Sequence, residues 1–192
     1  MPGGDDKQSL IIGHVIKTLR SYCMYHWDGL LDDVFRYLLR SDRTFIEIEE
    51  ELKIVRAYLE IEELRLGSKL RTELDVDESV LRAAIPLLSI QPLVENAVKH
   101  GVASRAGLGF VRINIRQEPE GVVISVSNSG ECDTRILERP DGGVGLANVR
   151  RRLALCYGAK TCIEMRAANG VTTVGSKLPW KPVPDLAVAE RA

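Results

Sequence analysis

Hydrophobic and polar positions follow two different periods along the chain, and the change falls near Gly67. Up to that residue, apolar side chains recur every three or four positions, which predicts helices. Residues 44–66 give the clearest helix, because Thr44 and Glu47 have the spacing of a capping box and Gly67 provides a stop. After Gly67 the period shortens to two, which predicts strands.

The second part of the chain alternates strand-like segments with two further helices. Two pairs of segments read as hairpins, one turning through "EPEG" and one through Asn169-Gly170. Apolar spacing predicts one helix over 91–100 and another over 146–157, which Gly158 closes. The predicted strands are 70–76, 110–117, 122–129, 161–167 and 172–179.

The helix "IQPLVENAVKHG", residues 90–101, carries an unusual set of polar side chains. At about 100° per residue, one arc is apolar and the other holds a carboxylate, an amide, an amine and an imidazole. The polar arc consists of Glu95, Asn96, Lys99 and His100. Gly101 is expected to end the helix in the left-handed conformation. Taken alone, this arc fits a solvated helix face as well as a binding site.

Two weaker signals follow it. Asn128 ends an apolar strand just before Ser129-Gly130, where an asparagine is either a turn residue or a ligand contact. The polar stretch 129–145 is too irregular for a helix or strand, and such long loops are usually lids or disordered segments. Its glycines at 142–145 precede a helix, where backbone amides favour an anion, although a flexible surface loop has the same composition.

Composition excludes several classes of protein. Hydrophobic residues make up 45% and charged residues 28% of 192, and the net charge of −1 gives no reason to expect nucleic acid as a partner. The four cysteines lack the spacing of a zinc site or a disulfide framework. No apolar run is long enough to span a bilayer, and the first residues are not a signal peptide. We therefore expect a soluble chain in the cytoplasm, or the cytoplasmic part of a membrane-anchored protein.

Taken in order, the motifs resemble a known family. "QPLVENAVKHG", "VSNSG", "GGVGLANVRRRL" and "GVTTVGSKLP" are similar to the nucleotide-binding boxes of sensor histidine kinases of the LytS/YehU/AlgZ type, within the GHKL ATPase superfamily. "FRYLLR" followed by "EEELKIVRAYLEIEELRLGSKL" resembles the segment that joins their phosphotransfer and ATPase regions. The resemblance covers about residues 34–180 and corresponds to the C-terminal kinase region of the family.

The resemblance implies an α+β fold, a two-layer α/β sandwich of the GHKL (Bergerat) type with a mixed sheet, preceded by N-terminal helices. It divides the chain into three regions. They are a helical dimerisation or phosphotransfer-like region at 1–66, an ATP-binding domain at 67–180 and a flexible tail at 181–192. ATP and Mg²⁺ are the expected cofactors.

For the phosphate end of the nucleotide, the resemblance assigns roles to the polar arc. Asn96 matches the amide that ligates Mg²⁺, and Glu95 matches the carboxylate that orients or deprotonates the accepting histidine. Lys99 and His100 match positions near the phosphates. These roles agree with the chemistry, because Mg²⁺ prefers oxygen ligands and a general base needs only hydrogen-bond reach of its proton.

For the adenine end, Asn128 takes the place of the aspartate that usually reads the adenine amino group, and Gly130 matches the glycine beside it. Gly143 and Gly145 match the glycines on which the lid closes, and Thr172 matches the hydroxyl that supports the adenine site. The resemblance also implies that the lid, residues 129–142, is mobile without nucleotide and becomes ordered around it.

The chain departs from the family pattern in two places. Cys132 replaces a second glycine near Asn128, so we expect weaker or less selective adenine binding. The phosphoacceptor box is absent, and alignment puts Gly13 at the histidine position with His14 one residue later. His14 is either a displaced acceptor or an incidental histidine on an amphipathic helix, and we favour the incidental interpretation. His26 fits a helix end better than an acceptor.

Two functions remain. The first is the catalytic region of a two-component sensor histidine kinase, which transfers the γ-phosphate of ATP to a histidine and from there to a response regulator. The alternative is a non-catalytic, dimeric ATP-binding module that regulates a partner, and a Ser/Thr anti-sigma-factor kinase is a third, weaker possibility. In either main case we expect a homodimer formed through the N-terminal helices, because one small sandwich could hardly cover their apolar residues.

Overall fold

A computed structural model describes residues 45–130, 144–158, 161 and 163–180. All of these residues lie in the second of two units into which the chain divides, with the division between Arg43 and Thr44. The predicted N-terminal helices before residue 44, most of the lid and the tail at 181–192 lie outside the described residues.

The described part of the chain contains three α-helices and seven strands. They are β1 Phe45–Glu47, α1 Ile48–Leu66, β2 Leu70–Val76, β3 Ala84–Pro86, α2 Gln91–Asn96, β4 Gly109–Glu118, β5 Gly121–Ser129, α3 Val144–Tyr157, β6 Ile163–Ala168 and β7 Val171–Leu178. A π-helical segment, Ala97–Ala103, continues α2 directly. The five predicted strands and the helices near 91–100 and 146–157 are therefore present.

Five strands form one mixed sheet in the order β2-β4-β5-β7-β6. The β2–β4 pair is parallel, and the other pairs are antiparallel. Both predicted hairpins are present, and Asn169 and Gly170 have positive φ angles of 53° and 74°, as a two-residue hairpin turn requires. Strands β1 and β3 form a separate antiparallel pair.

The sheet has one buried face, and the helices supply the other half of the core. Alternate residues of the central strands are buried, as the period of two requires. The core residues of the sheet include Val111, Ile113, Ile115, Ile124, Val126, Val174 and Leu178, and those of the helices include Leu52, Val55, Leu93, Val94, Leu146 and Leu153. The opposite face of the sheet carries polar pairs such as Arg112 with Glu73. The predicted two-layer sandwich with a mixed sheet is confirmed.

Helix α1 begins differently from the prediction. The expected capping box is wrong, because residues 45–47 form β1 and the N-cap residue Glu47 makes no side-chain capping bond. The first amides of the helix are satisfied by backbone carbonyls instead: Ile48 N–H donates to Ala83 O and Glu49 N–H donates to Leu81 O, both at 3.0 Å. Helix α1 ends before Gly67 as predicted, and it packs against β1, β2 and α2, in the same unit as the sheet.

Candidate functional site

The polar arc predicted from the sequence lies partly on α2 and partly on the π-helical segment. In a π-helix each backbone N–H donates to the carbonyl five residues earlier instead of four. The α-helical rotation of about 100° per residue therefore no longer holds after Asn96. Glu95 and Asn96 stay together and are half-buried, whereas Lys99 and His100 are exposed. The structure therefore brings the carboxylate and the amide together at the edge of the core and leaves the amine and the imidazole in solvent.

Gly101 does not end the helix, so that prediction is wrong. It lies inside the π-helical segment, is buried and does not adopt a left-handed conformation. Its lack of a side chain serves close packing: a Cβ at this position would lie 2.3 Å from Nδ2 of Asn128. The π-helical segment thus rests directly on the asparagine at the end of β5.

The carboxylate of Glu95 has a neighbour that the sequence did not single out. The side-chain amide of Gln91 donates a hydrogen bond from Nε2 to Oε1 of Glu95 at 2.6 Å. The two residues are four positions apart, which places them on one face of α2. Gln91 is buried, with 3% of its surface exposed. The sequence feature that could have identified Gln91 is its spacing of four positions from Glu95, at the start of an apolar helix.

A second carboxylate, Glu51 of α1, lies fully buried beneath the start of α2. Its Oε1 accepts hydrogen bonds from the backbone N–H groups of Ile90 at 2.7 Å and Gln91 at 3.0 Å. Burial raises the pKa of Glu51 from its ordinary 4.5 to about 7, although the amides of Gln91, Ile90 and Ser89 and the charge of Arg152 lower it. The signal in the sequence was a carboxylate within the apolar stripe of α1.

The loop before α2 is also held by a side chain of α3. Arg152 of α3 donates from Nη1 to the carbonyl oxygens of Leu87 at 2.5 Å and Leu88 at 3.2 Å. Leu88 has a φ of 62°, a conformation that a leucine rarely adopts without support from its surroundings. Together with Glu51, this arginine fixes where α2 begins, and hence where Glu95 and Asn96 lie.

Burial also affects Tyr58 of α1. It raises the pKa of the Tyr58 hydroxyl well above its ordinary value, and the negative charges of Glu62 and Glu95 raise it further. The hydroxyl is therefore neutral at every physiological pH. Glu62 is itself buried and forms an ion pair with Arg65. The surroundings of Glu95 on the α1 side are thus a neutral phenol and a paired carboxylate.

At the other end of the site, Asn128 lies between Val111 of β4 and Thr172 of β7 in the sheet register. Asn128 is 5% exposed, and its Nδ2 donates to the carbonyl of Ser129 at 3.0 Å. Thr172 Oγ1 donates to the carbonyl of Gly130 at 2.6 Å, and Gly130 N–H donates to the Gly170 carbonyl, also at 2.6 Å. The three residues predicted for the adenine end are therefore brought together.

Gly145, predicted to be one of the glycines on which the lid closes, is at the start of α3. A Cβ there would lie 3.9 Å from Cβ of Pro92, which is ordinary contact, so the N-terminus of α3 is adjacent to α2. Gly143, Cys132 and His14 lie outside the described residues. Their predicted roles stay predictions, as does the mobility of the lid, of which residues 131–142 are outside the described part.

The described residues fit a magnesium ion held mainly by a nucleotide. Within the described ranges, no three acidic, histidine or cysteine side chains gather into a metal-binding cluster. Mg²⁺ at nucleotide sites usually takes one or two protein oxygens and completes its shell with phosphates and water. The half-buried amide of Asn96 makes no capping bond to the segment after it and has the oxygen that such a site requires.

Comparison with known proteins finds relatives among sensor histidine kinases. A family model described as Histidine kinase matches residues 15–70. The chain is 38% identical over 167 residues to the sensor histidine kinase YpdA of Escherichia coli (strain K12), which covers 81% of this chain and 29% of YpdA. It is 36% identical over 128 residues to YesM of Bacillus subtilis (strain 168), which covers 64% of this chain and 22% of YesM. It is 29% identical over 161 residues to the LytS protein of Staphylococcus saprophyticus, which covers 78% of this chain and 27% of LytS.

The chain thus spans less than a third of the length of these curated relatives. Among solved structures, the catalytic domain of histidine kinase ThkA matches with a TM-score of 0.58 and 18% identity, covering 72% of this chain and 97% of that domain. The Acinetobacter baumannii histidine kinase AdeS matches with a TM-score of 0.55 and 17% identity, covering 91% of this chain and 81% of the AdeS chain. At such identities the structural likeness establishes the fold alone.

None of the described helices is long and apolar enough to cross a bilayer.

The family model, the sequence relatives and the fold agree with one another. The resemblance seen in the sequence is confirmed: over most of its length the chain is similar to sensor histidine kinases such as YpdA and LytS, and its described part has the fold of histidine kinase catalytic domains.

Proposed function

We propose that this chain binds Mg·ATP between its helical layer and the lid predicted for residues 129–142, and transfers the γ-phosphate to a histidine. The observation that carries the proposal is the contact of Gly101 with Asn128. It joins the helix that holds Glu95 and Asn96 to the strand end that holds the adenine-site residues. One extended ligand, with phosphates at one end and a base at the other, fits that arrangement better than two unrelated polar clusters do.

At the phosphate end, the amide oxygen of Asn96 would be the protein ligand of Mg²⁺, which neutralises charge on the phosphates. Glu95 would accept the proton from one imidazole nitrogen as the other, unprotonated nitrogen attacks the γ-phosphorus. A nitrogen–phosphorus bond forms, the bond from the γ-phosphorus to the bridging oxygen breaks, and ADP leaves with that oxygen. The helix contributes by holding both groups in place, since positioning supplies much of the rate in phosphoryl transfer.

At the adenine end, the amide of Asn128 would accept from the adenine amino group through its oxygen, and it can donate as well. The hydrogen bond between Thr172 and Gly130 would fix the backbone beside the base. Gly143 and Gly145 are proposed to let the lid close over the phosphates, and Lys99 and His100 to attract them from solvent. An asparagine in place of a carboxylate predicts a less selective adenine site.

The test is nucleotide-dependent stability. At about 100 times its Kd, Mg·ATP should raise the free energy of unfolding by about 2.7 kcal/mol. Asn96→Ala should remove the Mg²⁺ dependence of that gain, whereas Glu95→Ala should keep the binding and lose the transfer. Asn114→Ala on the outer face of the sheet, where Asn114 bonds Asp75, is the matched control and should change neither. Stability that does not respond to Mg·ATP in the unmutated chain would contradict the proposal.

The acceptor and the protein partners are further parts of the proposal. We propose a response regulator as the final acceptor and a homodimer formed through the N-terminal region. His14 lies outside the described residues and one residue before the stretch that the family model matches. Acid-labile label from γ-labelled ATP that disappears in His14→Ala would identify His14 as the acceptor, and unchanged label would exclude it. Sedimentation that shows only monomer at micromolar concentration would contradict the dimer.

A further inference from the structure

Gln91 is a buried amide whose side chain contacts the carboxylate proposed to act on the accepting histidine. Its Nε2 lies 2.6 Å from Oε1 of Glu95, within one turn of the same helix. The bond restricts the rotamers that the Glu95 side chain can adopt.

The amide of Gln91 is only half satisfied within the described residues. Its Oε1 is buried and has no hydrogen-bond partner there. A buried polar atom without a partner costs stability, and an apolar side chain of the same size would avoid that cost. Packing therefore gives no reason for an amide at this position. The hydrogen bond to Glu95 does give one.

The backbone of Gln91 is fixed before its side chain is considered. Its N–H donates to the buried Glu51 at 3.0 Å, and Pro92 follows it and restricts its conformation. Arg152 holds the two carbonyls of Leu87 and Leu88 just before it. Because α1 and α3 both hold the start of α2, the backbone from which the Gln91 side chain reaches Glu95 is fixed.

We propose that Gln91 is a positioning residue that holds the Glu95 side chain in the orientation required for the transfer step. This inference rests on the proposed function, because it assigns to Gln91 a role in the transfer step. Gln91 itself touches neither the nucleotide nor the histidine in this scheme. Its contribution passes through Glu95 alone, and a double-mutant cycle detects that dependence.

The experiment compares Gln91→Met with the unmutated full chain in two backgrounds. Methionine has a similar volume and no amide. Turnover is counted as label on protein plus released phosphate from γ-labelled Mg·ATP, and nucleotide binding is measured separately by titration. We expect Gln91→Met to slow turnover about tenfold, a part of the usual contribution of a general base, with Kd unchanged within about twofold. In the Glu95→Gln background the same change should cost less than about twofold.

Two further variants exclude a folding defect. Gln91→Glu keeps the size and polarity of the side chain but places a second negative charge where the donor was, so it should also slow turnover with binding unchanged. Gln117→Met makes the matched substitution at the far end of β4, where Gln117 bonds Ser79, and should leave turnover unchanged. Melting temperatures of all variants are compared with that of the unmutated chain.

The outcomes separate the inference from the function on which it rests. An equal loss of turnover in both backgrounds, or a Kd that weakens in parallel, would overturn the role of Gln91 and leave the proposed function standing. Unchanged turnover in both Gln91 variants would do the same. An unmutated chain that does not bind Mg·ATP, or binds it without turnover, would overturn the function and the inference together.

Discussion

A single methyl group added at Gly101 should damage both the fold and the nucleotide site. The Cβ of Gly101→Ala would lie 2.3 Å from Nδ2, 2.6 Å from Cγ and 2.7 Å from Cβ of Asn128. Rotation of the Asn128 side chain relieves the first two contacts but not the third, because Cβ is fixed by the backbone of β5. The π-helical segment must therefore move away from the sheet.

The magnitude follows from two opposing effects. Overpacking of this kind costs about 3 kcal/mol at the upper end of the usual range. Alanine in place of glycine stabilises a helical segment by about 1 kcal/mol, which offsets part of that cost. The net loss is about 2 kcal/mol in the free energy of unfolding, and the corresponding fall in Tm is about 4–8 °C for a chain of this size. Affinity for ATP should fall as well, because Asn128 is displaced.

Urea unfolding of four variants tests this prediction: Gly101→Ala, Gly145→Ala, Asn128→Gly and the double variant Gly101→Ala with Asn128→Gly. Gly145→Ala is the matched control, since among the described residues its new Cβ would meet only Pro92, at 3.9 Å, and its stability should stay within about 0.5 kcal/mol of the unmutated chain. In an Asn128→Gly background the clash is absent, so Gly101→Ala should be neutral or stabilising there. If Gly101→Ala alone were as stable as the unmutated chain, the close packing of the π-helical segment on β5 would be refuted.

Two further predictions concern the ends of the site. Asn128→Ala should weaken ATP and ADP alike by about tenfold, the worth of about one hydrogen bond, and calorimetric titration that shows a loss for ATP alone would contradict the adenine role. Glu51→Gln should flatten the pH dependence of stability. The folded pKa of Glu51, about 7, lies above the unfolded value near 4.5, so the folded chain binds the extra proton. The stability from that proton is complete below pH 4.5 and is lost as pH rises to about 7, a difference of about 3 kcal/mol. Unfolding at about pH 5 and about pH 8 should show this fall in the unmutated chain and not in the variant.

Much of the fold could be predicted because its signals are local. Alternation along β4 and β5 reflects one buried and one polar face, and the Asn169-Gly170 pair has the positive φ angles that a tight hairpin needs. The pairing of Glu95 with Asn96 could also be predicted, because adjacent residues at the end of α2 stay together whatever the helix does next.

What could not be predicted depends on contacts between distant segments. The place of Gly101 depends on a change of helix type, and no helical wheel at a fixed angle shows such a change. Glu51 meets Gln91 across forty positions, and in the sequence it appears only as one glutamate among several in α1. His14 and most of the lid lie outside the described residues, so their roles stay predictions.

The π-helical segment holds about one residue more per turn than the α-helix that it continues. If one residue between Ala97 and Gly101 were deleted, the segment could adopt ordinary α-helical hydrogen bonds. Gly101 would then stay close to its present place against Asn128, because the deletion removes about the residue that the wider turn holds in excess. The segment is therefore the part of this helix in which the chain can lose one residue and still keep the two ends of the site at the same distance.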